Sequence, residues 1–363
     1  MHMLGTSIGM WVDSIVDEVI EEFVHSENSN NSSEVAVGFI VKHLEHDAKC
    51  ALNGLVSNKS ITALPYLYPF TIEFNIAMAS IWYMIWTNIG KVNDRSLFHP
   101  IAREIVEDED GHEDVEYRSS GLSIQVDCHA SSRGLFFGLA SLLGIIITIV
   151  LFFSTLTNNP FLSAVIYTIQ CAVLTLFGLL VIPLAYIKIQ KLNVVSASHR
   201  DNAFTIMDDI LVLLPLPFYI VHYILSIIAN INTENEHYHG EDDFHGNAVF
   251  LSIVQVLTII QVLIQSPFIV DGLRRCANTT QTRYHKPGRE LVIFALILNV
   301  IFWILNTIEL KSVEEYHGLH HYFGPVYSKM ITHTTLPLML FYRFHSSVCL
   351  SNIWKYAYEK DHH

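Results

Sequence analysis

Charge is scarce in this chain, and positive charge scarcer. Only 15% of its 363 residues are Asp, Glu, Lys or Arg, with 21 bases against 35 acids. A net charge of −14 excludes nucleic acid as the expected partner, because that partner requires clustered Lys and Arg to displace counterions. Five cysteines occur (Cys50, Cys128, Cys171, Cys276 and Cys349) without C-x-x-C spacing, so neither a disulfide framework nor a zinc ribbon follows. Cys171 and Cys349 stand in apolar runs, where a thiol behaves as a small core residue. No basic stretch precedes an apolar run at the N-terminus, which removes the signal-peptide pattern.

Apolar residues fill the space that charge leaves. Hydrophobic residues make up 51% of the chain, and its mean hydropathy is +0.36. That is the composition of an all-α integral membrane protein, since a bilayer span needs about 20 mainly apolar residues. Seven stretches qualify: 65–88, 134–154, 161–187, 209–230, 247–270, 290–310 and 323–350. An eighth, 3–24, is apolar in its first half and acidic in its second, like the end of a partial helix emerging into water. Lys and Arg set the orientation. Fifteen lie in the loops 89–133, 188–208 and 271–289 and in the C-terminal tail, and four (Lys42, Lys49, Lys59 and Lys311) in the alternate loops. The first set is therefore expected in the cytoplasm. Asn30, Asn31 and Asn58 then fall outside as glycosylation acceptors. The polar loops 25–64 and 91–132 read as flexible.

Polar residues inside the spans are functional candidates, because a bilayer offers them no water. Glu73 lies in the first complete span and His222 in the middle of 209–230. Gln255, Gln261 and Gln265 run down 247–270, and Asn299 and Asn306 lie seven apart in 290–310. Glu309 ends that span, and the last one holds His333, Tyr342, Arg343 and His345. For the glutamines the plainer reading is interhelical hydrogen bonding, worth about 0.6 kcal/mol each. For Glu73 and the Arg343/His345 pair a transport role is favoured, since a charge is costlier to retain than an amide. Pro183, Pro215, Pro217, Pro267 and Pro337 are expected to interrupt their spans. Two loops on the outer side are rich in histidine: HYHGEDDFH, with His237, His239 and His245, and HGLHH, with His317, His320 and His321. Free imidazole titrates at about 6.5, and the neighbouring carboxylates favour its charged form, which suits an external pH sensor.

The segments KPGRELVIFALILNVIFWILNTIE (286–309) and FGPVYSKMITHTTLPLMLFYRFHSSVCLSNIWKYAYE (323–359) resemble the C-terminal end of the otopetrin family of proton channels. There a K-P-x-R opening, an Asn in the middle of the eleventh helix and an L-P-x-x-x-F-Y-R-x-H ending recur together. PYLYPFTIEFNIA (65–77) is similar to the family's sixth helix and LGTSIGMWVDSIVDE (4–18) to the end of its fifth. The resemblance implies twelve helices in two related six-helix halves, and two chains forming a homodimer in the plasma membrane with the C-terminus in the cytoplasm. On that alignment residues 1–90 are the remnant of the N-terminal half and 91–133 a cytoplasmic acidic loop. Residues 134–350 form the C-terminal six-helix half, and 351–363 a tail. The first four helices and part of the fifth are absent. Asn299 and Tyr342 fill two of the polar constriction places of the C-terminal half; no glutamine in 209–230 supplies the third. Thr6-Ser7 and Ile72-Glu73-Phe74 depart from the family's Thr-Asn and Ile-Glu-Tyr.

A narrow, mostly dry path with a few hydrogen-bonding or titratable groups passes protons while rejecting hydrated cations. Glu73, His222, Asn299, Glu309, Tyr342, Arg343 and His345 are the candidates for it. The expected function is a proton-selective channel that responds to external acid, with no catalysis and no resident cofactor. Inhibitory zinc on the outer histidines is implied by the resemblance. The competing readings are a non-conducting subunit of a full-length channel, a seven-span receptor and a membrane di-iron enzyme. The last would require further histidine boxes on the cytoplasmic face.

Overall fold

The computed structural model describes residues 131–156, 158–195, 203–236, 242–310 and 318–359, with helical fragments at 2–10, 12–13, 16, 74–75, 78–79, 81–83 and 85–86. The described part is a helical membrane bundle. Helix α1 spans Ser132–Leu156 and α2 Pro160–Ile189. Helices α3 (Ala203–Leu213) and α4 (Leu216–Glu236) follow, then α5 (Asp242–Gly272) and the short α6 (Thr280–His285). Helix α7 (Arg289–Leu305) runs into a π-helical turn at Asn306–Leu310, and α8 spans Gly318–Tyr356.

Among the described residues, five helical stretches are long and apolar enough to cross a membrane: 132–156, 161–189, 205–232, 247–272 and 289–308. They match five of the seven expected spans. The seventh, 323–350, is helical but carries Lys329, His333, Arg343 and His345. Of the first, 65–88, only fragments are described.

The expected interruption of 209–230 is present: α3 stops at a turn over Leu214–Pro215, where the ring removes a backbone donor and α4 restarts. The other prolines do not end their helices, since α2 continues through Pro183, α5 through Pro267 and α8 through Pro337. The break in α8 is instead at Gly324, whose φ of 78° is accessible to glycine and strained for other side chains. Pro325, next in the chain, also disfavours helical backbone at that position.

Packing is graded from lipid to core. Of the most apolar stretch of each, 67% of α7 is buried but only 17% of α1. Helix α1 turns Phe136, Leu143, Ile147 and Val150 outward, as a lipid-facing helix should, and Gly134, Gly138, Ile145, Ile149 and Phe152 inward. α1 packs on α7, α2 on α5, and α8 on both α4 and α7. Gly134 and Gly138 permit the first contact. A Cβ on Gly134 would lie 1.7 Å from the carbonyl oxygen of Glu290, and one on Gly138 2.4 Å from Ile297 Cδ1. Close helix approach through small residues four apart is a common membrane device. Gly134→Val is therefore expected to destabilise the bundle by roughly 1–3 kcal/mol, read from thermal unfolding in detergent.

One end of the bundle is tied by polar contacts. Strands β1 (Asn193–Val194) and β2 (Arg275–Cys276) pair antiparallel, and the Arg275 guanidinium donates to the carbonyl of Leu192 at 3.0 Å. Arg274 is ion-paired with Asp209, and Arg275 with Asp271 at 2.9 Å. The loops after α2 and α5 thus lie on one side, as the alternation of Lys and Arg requires. The K-P-G-R motif belongs here as well. Arg289 lies 4.8 Å from the Trp354 ring, and the Tyr358 hydroxyl donates to the Pro287 carbonyl at 3.1 Å. Burial pushes the Tyr358 phenol up, with Arg289 opposing, so it remains a donor at ordinary pH. This part of the family motif anchors the end of α8 to the start of α7.

Candidate functional site

A fully buried arginine sits in the middle of the bundle. Arg343 on α8 has no exposed surface, and no acid pairs with it among the described residues. A guanidinium in low dielectric must be solvated by dipoles or π faces. Both are supplied. Its Nε and Nη2 donate to the Tyr219 hydroxyl at 3.1 and 2.7 Å, Nη2 to Gln261 Oε1 at 3.0 Å, and Nη1 to Asn299 Oδ1 at 3.4 Å. The Phe302 ring lies 4.0 Å from its Cζ, within cation–π range.

The acceptors are themselves held. Gln261 donates to Gln265 Oε1 at 2.8 Å, and Gln265 donates to Asn299 Oδ1 at 2.9 Å. Asn299 Nδ2 donates back to Gln265 Oε1 at 3.2 Å and to the Ala295 carbonyl at 2.8 Å. The sequence arranges this simply. Gln261 and Gln265, four apart, share one face of α5, and Asn299 faces them from α7. Beside the network, Tyr342 and Ser266 share a hydrogen bond of 2.9 Å, and Tyr342 also donates to the Val262 carbonyl at 3.3 Å. The whole cluster is closed, and Tyr219, Gln261, Gln265, Asn299, Tyr342 and Arg343 are all at most 1% exposed.

On one side of this closed layer lies a cavity of about 30 Å³, space for about two waters. It is lined in part by His222, Tyr223, Ser226, Gln255 and Thr258. His222 Nδ1 hydrogen-bonds the Thr335 hydroxyl at 2.8 Å, and Gln255 Nε2 donates to Ser226 at 2.9 Å, while Gln255 Oε1 has no hydrogen-bond partner among the described residues. The Tyr223 ring abuts that of Tyr219 at 5.2 Å, which joins the cavity wall to the arginine layer. Gln255, Thr258, Gln261 and Gln265 follow one another along α5 over about 15 Å.

On the other side, toward the end of α8, His345 Nε2 lies 3.6 Å from Asp208 on α3 and 3.5 Å from the Cys349 thiol. Phe341 stacks on its ring at 5.5 Å. Polar groups thus form three layers: a cavity, a closed arginine network and a histidine cluster.

Of the residues expected to carry function, Asn299, Tyr342 and Arg343 meet in the middle layer, His222 lines the cavity, and His345 stands in the third layer. Arg343 and His345 do not act as a pair, because residues two apart point to opposite sides of a helix. The glutamines of 247–270, read from sequence as interhelical hydrogen bonding, do bond across helices, Gln265 to Asn299 and Gln261 to Arg343. Glu73, His237, His239 and His317 lie outside the described residues, as do the side chains of Glu309, His245, His320, His321 and His333. Sequence reasoning did not find Tyr219, Ser266, Phe302 or Asp208. A charge at mid-span was the available signal for the first three, since it demands hydroxyl, amide or ring partners on facing helices. Cys349, expected to be a plain core thiol, is buried but has polar neighbours.

The otopetrin family model matches residues 40–344. The chain is 27% identical to the proton channel OtopLc of Drosophila melanogaster over 99% of its own length and 23% of that protein's. It is also 27% identical to the proton channel OTOP1 of Danio rerio over 26% of this chain and 16% of that one, and to the proton channel OTOP2 of Homo sapiens over 25% and 17%. It therefore spans about a quarter of the fly relative's length. The family model reaches as far as the L-P-x-x-x-F-Y-R motif, whose arginine organises the buried network, and its match over most of the chain establishes this multi-pass membrane protein as a member of the otopetrin family.

Proposed function

We propose that this chain forms a proton-selective channel of the plasma membrane, opened by external acid, with the route passing through residues 134–350. The observation that carries this reading is the run of polar groups through the bundle, in which the His222 cavity meets the closed arginine network through Tyr223 and Tyr219, with the His345 cluster on the opposite side of α8. The arginine network is its closed constriction. It has no room for a hydrated ion, and its fixed positive charge opposes any cation that enters. A proton needs only a chain of hydrogen bonds, so parting Tyr219 or Gln261 from Arg343 would open the constriction toward the cavity. Residues 1–90 would belong to a second half, with Glu73 its candidate pathway residue. Glu309 would stand at the mouth, and the chain would assemble as a homodimer. The outer histidines (His237, His239, His245, His317, His320 and His321) would sense pH and capture inhibitory zinc, and the C-terminus would be cytoplasmic.

The test is patch recording with protons as the only permeant cation. Acid on the outer face is expected to evoke a current that reverses at the proton equilibrium potential; silence at normal surface expression would overturn conduction by this chain. The alternative reading is a non-conducting subunit or regulator. It predicts silence alone but an altered current when the chain is co-expressed with a longer relative. Orientation is checked separately. Cysteines introduced at Ser154 and Thr233 are expected to react with an impermeant external reagent, and one at Ser198 is not. Labelling of Ser198 in intact cells would invert the topology.

A further inference from the structure

We infer that Asp208, His345 and Cys349 form a binding site for one divalent transition-metal ion of the zinc class, linking the middle of α3 to the last turns of α8. One ligand atom from each residue lies within 4.8 Å of the other two. Cys349 is fully buried, His345 nearly so, and Asp208 partly exposed, which leaves an approach from the bundle's polar end. Asp209, the adjacent carboxylate, is committed to Arg274 and does not compete.

Two of the three ligand separations match those around a tetrahedral ion, and the Asp208 oxygen and Cys349 sulfur, within 4.8 Å of each other, would draw together on binding. His345 Nε2 is 3.6 Å from the Asp208 oxygen and 3.5 Å from the Cys349 sulfur. The first is too long for a nitrogen–oxygen hydrogen bond, while the second is a weak hydrogen bond to sulfur that an ion would replace. Zinc bonds of about 2.0–2.3 Å at tetrahedral angles place neighbouring ligand atoms roughly 3.4–3.6 Å apart. The imidazole nitrogen therefore already stands at the separation from oxygen and sulfur that a shared ion would impose. Imidazole, thiolate and carboxylate together suit zinc or cobalt, and exclude magnesium and calcium, which take oxygen ligands. Binding displaces the thiol proton to solvent, the imidazole binds as its neutral form, and water supplies the fourth ligand.

The binding claim is independent of conduction, while its consequence rests on the channel reading. A bound ion would occupy the His345 nitrogen needed by the inner layer and fix α3 to α8, so metal at this face should inhibit flux.

The experiment uses the whole chain in detergent with the six outer histidines changed to Gln, titrated with Co²⁺. Tetrahedral ligand-field bands and a thiolate charge-transfer band are expected to appear at one ion per chain. Cys349→Ser should remove the charge-transfer band, and Asp208→Asn should weaken binding at least tenfold while keeping it. Absence of the charge-transfer band in the unmutated triad, or its persistence in Cys349→Ser, would overturn the site. Should a variant lose its helical circular dichroism, the intact triad decides instead. One equivalent of zinc must slow alkylation of Cys349, read by mass spectrometry, and an unchanged rate sinks the proposal. In inside-out patches, internal zinc should reduce the current of the wild-type chain. No reduction alongside an intact cobalt spectrum would refute only the inhibitory role.

Discussion

Removing the charge of Arg343 while keeping its bulk is expected to raise the resting proton leak at least tenfold. Arg343→Met is the variant that tests it. A unit charge about 4 Å from the path, at an effective dielectric of about 20, repels a passing proton by about 4 kcal/mol, and each 1.4 kcal/mol is a factor of ten. Stability should change little, because an apolar residue of similar volume removes the desolvation penalty along with the favourable contacts. Arg343→Ala separates packing from charge. It leaves a void under Phe302 and strips Gln261 Oε1 of its donor, which together cost about 3 kcal/mol or more after the relief of desolvation. Arg343→Lys keeps the charge but cannot reproduce the fork that reaches Tyr219, Gln261 and Asn299 together, so it should fall between the two in stability. Proton flux in liposomes at symmetrical pH, with a voltage step, reads the leak, and thermal unfolding reads the stability. A Met variant as tight as the wild type would make Arg343 a brace and not the barrier.

Asn299→Leu should reduce the acid-evoked current at least tenfold without reducing surface expression. The amide is the only group of α7 in the middle layer that both donates and accepts. Its loss leaves Gln265 Nε2 and Arg343 Nη1 each without its acceptor. Leu is similar in volume, so the helices remain packed while the hydrogen-bonded chain is cut. Tyr342→Phe is a finer probe. It deletes one hydroxyl, and Ser266 keeps its bond to the Val262 carbonyl at 3.0 Å, so stability should fall by only about 1 kcal/mol. If the current is several-fold lower, the hydroxyl is part of the path. Wild-type current in both variants would return these residues to structural bonding between helices.

The sequence by itself determined the class and the family. Long apolar runs, the unequal distribution of Lys and Arg, and the cost of polar groups in lipid lead to a helical membrane protein. The motifs at 286–359 point to its family. These features were legible because they are one-dimensional: a span is a run, and a motif is a fixed spacing. Asn299, Tyr342 and Arg343 could be singled out for the same reason, since a polar residue inside an apolar run is conspicuous wherever its helix packs.

Partnership was decided only by the tertiary structure. Arg343 and His345 are neighbours in sequence, yet helical rotation sends one to Tyr219 and Gln261 and the other to Asp208 and Cys349. Asp208 looked like the end of a loop, and became a neighbour of α8 through the turn at Leu214–Pro215 and the packing of α3 and α4 on that helix. The prolines were misleading because a missing backbone donor interrupts a helix only where neighbouring turns and helices fail to compensate, which happens at Pro215 and not at Pro183, Pro267 or Pro337. Depth along a span follows from counting residues; facing does not, because it depends on the rotation and crossing of helices that contact one another over sequence separations of more than 100 residues, as His222 and Thr335 do.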